Sequence, residues 1–169
     1  MTKYLPLLLV LAGPAGCIDA THDKAVDALG GEAPGVRPGP LHRPGQPCVT
    51  CHGGEGPGNS EFSLAGTVYL VSGQATPAPN VIVQLEDSTG VAGTIPTNDV
   101  GTFYVDANVW RPKYPVQVTV IYGTLDKQMQ TVIGRAGSCA DCHTDPPGML
   151  SPGRVYVALS QMQLKNAKP

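Results

Sequence analysis

The chain is poor in charge and in aromatic rings: of its 169 residues 14% are charged and 5% aromatic, and the formal net charge is −2. Without a basic stripe to meet a phosphate backbone, nucleic acid is not an expected partner, and there is no acidic tail either. No apolar run reaches the roughly 20 residues that a membrane-spanning helix needs. Also missing are paired carboxylates, a Ser-His-Asp pattern and a phosphate-binding glycine loop set between strand and helix. The chain is therefore not expected to be an enzyme by itself.

What the chain has in quantity is Gly (21) and Pro (17), a composition of short elements joined by turns and not of a helical bundle. Its length suits one compact domain with tails. The glycines and prolines are unevenly spread. Between Ala33 and Pro47 stand Pro34, Pro38, Pro40, Pro44 and Pro47 with three glycines, which favours extended backbone with no apolar face. Residues 17–47 are read as a disordered Pro/Gly-rich tether, with Lys24–Leu29 able to form a turn or two of helix before Gly30-Gly31 stops it.

The five cysteines divide into two pairs and one remainder. The pairs stand in one repeated arrangement, Cys48-Val49-Thr50-Cys51-His52 and Cys139-Ala140-Asp141-Cys142-His143. In C-x-x-C-H two thiols can reach the vinyl groups along one haem edge, while the adjacent histidine turns its imidazole to the iron. The motif resembles that of c-type cytochromes. The resemblance implies two covalent haems c, with Cys48, Cys51, Cys139 and Cys142 as attachment points and His52 and His143 as proximal ligands. C-x-x-C pairs also form disulfides, redox centres and zinc half-sites, but none of these requires the histidine twice. A zinc ribbon separates its halves by about 15–20 residues, far fewer than lie between Cys51 and Cys139. A thioredoxin-like site needs a strand-turn-helix, and Pro47 before the first motif with Gly53-Gly54 after it is read as forbidding a helix there.

The remaining cysteine, Cys17, follows Lys3, the apolar run Leu5–Ala12 and the small pair Ala15-Gly16, the layout of an export signal over residues 1–16. It looks like the lipid-modified cysteine of bacterial lipoproteins. Pro14 stands where such signals carry an aliphatic residue, so ordinary cleavage with a free or paired Cys17 stays open. Export agrees with the motifs, since resemblance to c-type cytochromes implies haem attachment outside the cytoplasmic membrane. The expected location is the periplasm or cell surface, with a lipid anchor at Cys17 in the bacterial outer membrane.

From Phe62 onward strand-like segments alternate with breakers: 62–71, 81–86, 93–96, 102–106, 116–122, 127–133 and 154–159. Val81, Val83 and Leu85 oppose Gln84 and Glu86, and Val116, Val118 and Val120 oppose Gln117 and Thr119, so each such strand has one core face. Seven short strands of this kind make an all-β, antiparallel sandwich. Ala65-Gly66-Thr67-Val68, Val81-Ile82-Val83-Gln84-Leu85 and Thr97-Asn98-Asp99-Val100-Gly101-Thr102-Phe103-Tyr104 resemble the transthyretin-like or carboxypeptidase-regulatory-like domain. That likeness covers roughly residues 62–134 and implies a seven-stranded sandwich with first and last strands side by side. If the strands alternate in direction, both motifs project from the same end. Residues 48–160 are thus the sandwich domain with its haem-binding loops, and 161–169 a polar tail.

Each iron's sixth ligand decides between electron transfer and ligand binding. His42, in the approach to the first motif, and Met149, in the loop after the second, are the candidates; His22 is read as surface, Met129 as core and Met162 as tail. The reading is an exported dihaem cytochrome passing single electrons between redox partner proteins. The alternatives are a surface β-sandwich interaction lipoprotein whose motifs bind metal or form disulfides, and a haem sensor or peroxidase with one open iron. The anchor has a direct check: Cys17→Ser moves the protein from the membrane to the soluble fraction on cell fractionation, and unchanged membrane association counts against lipidation.

Overall fold

The computed structural model describes residues 19–32 and 34–167. The export signal and Cys17 lie outside the described residues. The chain order is α1 (Ala20–Ala28), α2 (Cys48–His52), β1 (Phe62–Val71), β2 (Ile82–Glu86), β3 (Ala92–Pro96), β4 (Thr102–Asp106), β5 (Gln117–Tyr122), β6 (Leu125–Gln128), a 3₁₀ turn at Cys139–Asp141, β7 (Val155–Ala158) and α3 (Gln161–Asn166). The strands form a three-stranded sheet, β4-β1-β7, and a four-stranded sheet, β3-β2-β5-β6. Leu64, Val68, Phe103 and Val157 from the first meet Val83, Leu85, Val118 and Val120 from the second in one core. The alternation read from β2 and β5 thus sorts inside from outside correctly.

All seven expected strands are present, and the differences between reading and structure have local causes. The pairing is not wholly antiparallel: β1 and β7 run parallel, Val68 beside Val155 and Val71 beside Ala158. Strict alternation of seven strands makes the first and last point the same way, so their adjacency requires a parallel pair. β6 ends at Gln128 instead of Ile133. Met129 N still bonds Val118 O at 2.9 Å and Ile133 rejoins Val116, so residues 130–132 bulge opposite Gln117, whose Nε2 donates to Met129 O at 2.8 Å. Part of the 161–169 tail is helical because the Ser160 side chain accepts from Gln163 N and caps α3, while Leu164 packs against the core.

β1 departs furthest from a one-faced strand. Leu64 through Tyr69 are all buried, so Ala65, Thr67 and Tyr69 on the face away from the core are covered too. The cover is the stretch read as a tether. Gly45 N donates to Thr67 Oγ1 at 2.8 Å, and Asn98 Nδ2 donates to Pro40 O at 2.6 Å. Gly45 lies in left-handed backbone against the Tyr69 hydroxyl, which leaves no room for a side chain. The segment before the first motif is thereby fastened to the sheet instead of standing off from it.

A large-to-small change on the core side of β1 removes contacts to both sheets. Leu64→Ala is expected to cost about 2–5 kcal/mol, read from the shift of a denaturant midpoint at unchanged slope; Val109→Ala, at an exposed site, shifts it little.

Candidate functional site

The first motif is helical, contrary to the expectation that its flanking residues forbid a helix. Pro47 occupies the N-cap and Gly53 the C-cap of the single turn α2. Proline is tolerated at a helix start because its missing N–H has no intrahelical partner there, and glycine suits the end. Residues acting as breakers inside a helix act here as its boundaries. One turn brings Cys48 and Cys51, three residues apart, onto one face, with His52 one step on. Both cysteines are half-buried free thiols, and burial raises the pKa of Cys48.

The glycine loop after α2 exists for the His52 ring. Gly58 N donates to Cys51 O at 2.8 Å, folding the loop back, and a methyl group on Gly58 would overlap the imidazole. His52 Nδ1 bonds Ser60 O at 2.8 Å. The ring stacks on Phe62 at 4.3 Å, which stacks on Tyr104 at 4.5 Å. The sequence reading marked this stretch as a loop and did not see it as a cradle.

His42 lies beside this group, its ring centre 6.0 Å from that of His52 and the planes at 72°. Its Nδ1 meets Glu32 Oε1 at 2.8 Å, and Arg43 Nε approaches the same oxygen at 3.2 Å. The His42 bond, foremost, and the Arg43 contact hold the Glu32 carboxyl below its ordinary range. The other oxygen, Glu32 Oε2, is buried without a hydrogen-bond partner among the described residues. Glu32, His42, Cys48, Cys51, His52 and Tyr104 line one cavity of about 780 Å³. His22, read as a surface residue, fastens α1 to the motif: its Nε2 bonds Thr50 O at 2.8 Å.

The second motif interrupts a strand. Ala65 N bonds Gly137 O at 2.8 Å and Ser138 bridges Ala65 in parallel; the chain then leaves for residues 139–154 and returns as β7 alongside Val68. The Cys139–Asp141 turn is closed by Ser138 Oγ donating to Asp141 Oδ1 at 2.9 Å and His143 N to Cys139 O at 2.8 Å. His143 Nδ1 bonds Gly153 O at 2.7 Å. The motif therefore sits beside the middle of β1 and does not project from the sandwich end. A methyl on Gly66 would come within 2.7 Å of Cys139 Sγ and 3.1 Å of Phe103, so this sulfur faces the core. Burial, then the neighbouring Cys48, pushes the Cys139 thiol up to about 12. Cys142 is exposed.

The adjoining cleft is only about 20 Å³, lined by Gly45, Tyr69, Cys139, His143 and Arg154 among others. Arg154 reaches Asp145 and leaves its Nε buried and unpartnered among the described residues. Met149 is in neither cavity lining and is fully exposed (101%), as is much of Met162; Met129 packs against the core. No three His, Cys, Asp or Glu residues among those described gather to hold a metal ion. No described helix is long and apolar enough to cross a membrane.

The two thiols of the second motif should differ sharply in reactivity, because only thiolate attacks an alkylating reagent and burial disfavours thiolate. In haem-free protein pulsed with iodoacetamide at mildly alkaline pH, Cys142 is labelled early and Cys139 last by peptide mass spectrometry; equal rates would contradict the buried placement. Comparison of the chain with family models, with curated proteins and with solved structures gives no match.

Proposed function

We propose that the protein is an exported dihaem c-type cytochrome on a transthyretin-like sandwich, passing single electrons between redox partner proteins in the periplasm or at the cell surface, held to the membrane through a lipid on Cys17. The observation that carries this reading is common to both motifs. In each C-x-x-C-H turn the histidine commits Nδ1 to a backbone carbonyl, Ser60 O or Gly153 O, leaving Nε2 with no hydrogen-bond partner among the described residues. Metal-bound histidines are held in this way, the second-shell acceptor fixing tautomer and ring orientation.

Haem c would supply reversible one-electron exchange at iron. Cys48 and Cys51 would hold it by adding each S–H across a vinyl double bond: a carbon–sulfur bond forms, the hydrogen goes to the neighbouring carbon, and nothing leaves. The first motif fits such a group in enclosure as well as in donors, since its cavity of about 780 Å³ lies within the roughly 300–1,000 Å³ of small-molecule and cofactor pockets. Phe62 and Tyr104 stiffen His52 from the side of the sheet. At the second motif the donors fit but the enclosure does not, because the cleft is about 20 Å³ and the Cys139 sulfur faces Gly66. Cys139 must turn outward to serve as an attachment point there. That placement gives the alternative reading, a structural motif within an interaction module, its one foothold.

Parity supports the sandwich assignment. Within each sheet the pairing directions agree with seven strands that alternate, and β1 and β7 are neighbours, as the transthyretin-like resemblance implies. Expression together with a haem-attachment system, followed by intact mass and a reduced-minus-oxidised visible spectrum, tests the function. Two haems that survive acid-acetone extraction are expected. One haem would assign the second motif a structural role, and none would overturn the reading.

A further inference from the structure

We propose that the loop after the second motif is a second membrane contact. Its apolar tip, Met149-Leu150, enters the headgroup layer of the bilayer that holds the Cys17 lipid, and the sandwich lies on the membrane with the outer face of the β4-β1-β7 sheet turned toward it. This rests on the lipid-anchor reading above and adds to it a contact and an orientation.

The length of chain between lipid and fold is the first support. Cys17 stands two residues before Asp19, whose side chain caps α1, and two residues span at most about 7 Å when fully extended. From α1 onward the chain is fastened: His22 Nε2 bonds Thr50 O at 2.8 Å, Arg43 Nη1 donates to Leu29 O at 3.2 Å, and Gly45 N donates to Thr67 Oγ1. A Pro/Gly-rich stretch standing free would act as a spacer, but laid down on the sheet it leaves only a short leash. A lipid on Cys17 therefore keeps the domain within reach of the headgroups.

The second support is which side of the molecule the loop occupies. Ala65, Thr67 and Tyr69 mark the outer face of the three-stranded sheet. Val26 and Leu29 of α1 line the first cavity with Thr102 and Tyr104, the partners of Thr67 and Ala65, so the lipid-bearing end of the chain is on that face. The 139–154 loop is there too: His143 and Arg154 share the small cleft with Gly45, Thr67 and Tyr69, and the Arg154 guanidinium lies over the Tyr69 ring at 4.9 Å. Exposed Val36 and Leu41 stand on the same covering segment, and residues 34–47 carry Arg37, His42 and Arg43 but no carboxylate to repel lipid phosphates. The opposite face, outside β3-β2-β5-β6, presents Gln84, Glu86, Asp126 and Gln128 and suits water.

The third support is how the tip is built. Met149 and Leu150 are 101% and 98% exposed, an adjacent apolar pair turned wholly to solvent. No charged residue stands between Pro146 and Gly153, and Asp145, just before, is paired with Arg154. Backbone polar groups resist entry into lipid unless they are satisfied. Pro146, Pro147 and Pro152 have no N–H to satisfy. Gly148 N donates to Thr144 Oγ1 at 3.4 Å, Ser151 N to Gly148 O at 3.1 Å and Gly153 N to Ser151 Oγ at 3.1 Å. Of the tip's donors, Met149 N and Leu150 N alone have no partner among the described residues, and at headgroup depth phosphate and ester oxygens can accept them.

Because a lipid on Cys17 already anchors the chain, the tip is read by orientation and not by affinity. The mature protein is purified from membranes, its intact mass is taken to read the lipid, and it is added to preformed vesicles of phosphatidylethanolamine and phosphatidylglycerol. A pulse of chloramine-T follows, with methionine sulfoxide measured by peptide mass spectrometry. Met149 is expected to be oxidised at least about tenfold more slowly on vesicles than in soluble Cys17→Ser protein, while exposed Met162 keeps its rate and core-packed Met129 is slow in both. Leu150→Asp, at a fully exposed site, is expected to return Met149 to its solution rate on vesicles, because a carboxylate is costly to take out of water. Met149 oxidised equally fast with and without vesicles, or still protected in the Leu150→Asp chain, overturns the tip contact and leaves the anchor intact. Protection in native membranes but not on protein-free vesicles assigns the tip to a protein partner and also overturns the inference. A chain that carries no lipid overturns the anchor reading and this inference with it.

Discussion

The burial of β1 on both faces is the constraint on which the rest of the structure depends. Its edges are paired, by β4 on one side and by the interrupted last strand on the other. One face belongs to the core through Leu64 and Val68. The other presents Ala65, Thr67 and Tyr69, and whatever covers them must bring its own hydrogen-bonding groups into register, since unpaired buried polar groups are costly. The approach to the first motif meets this demand with Gly45 N on Thr67 Oγ1, and Thr67 in turn faces Thr102 Oγ1 at 3.2 Å. Attaching a motif to this strand transfers the rigidity of the sandwich to the side chains that carry chemistry.

The two motifs use that rigidity differently. The first is built onto the covered face as a complete helical turn, backed by a glycine loop and an aromatic stack, with His42 beside it. The second is inserted into a strand at the point where β1 pairing passes from Ser138 to Val155. Its ends are fixed only a short distance apart on β1 while residues 139–154 loop outward. An insertion anchored at both ends orients its backbone well, as the His143 bond to Gly153 O shows. It encloses little volume: the adjoining cleft, lined among others by Gly45, Tyr69, His143 and Arg154, is only about 20 Å³.

Much of this was legible locally. Strands declare themselves by alternation over a few residues, and Val81-Val83-Leu85 and Val116-Val118-Val120 face the core as their pattern requires. The two C-x-x-C-H segments are equally local, each forming one short turn, α2 over Cys48–His52 and the 3₁₀ turn over Cys139–Asp141. The misreadings were also local signals, taken in the wrong sense. Pro47 and Gly53 were read as breakers and are caps, because whether such residues end or bound a helix depends on whether the turn between them has something to pack on. Ser160 escaped notice because a cap before a six-residue helix is a weak signal unless a core awaits Leu164.

By itself, then, the sequence determined the number of strands and the core faces of β2 and β5, because periodicity acts over a handful of bonds. Only the tertiary structure decided that β1 and β7 run parallel, that the proline-rich approach lies on the sheet, and that Glu32 binds His42 and His42 lies beside His52 while Met149 is exposed. Those facts depend on which distant segments compete for one covered strand, and that competition is settled by packing and hydrogen-bond satisfaction over the whole chain, which no short window of residues contains.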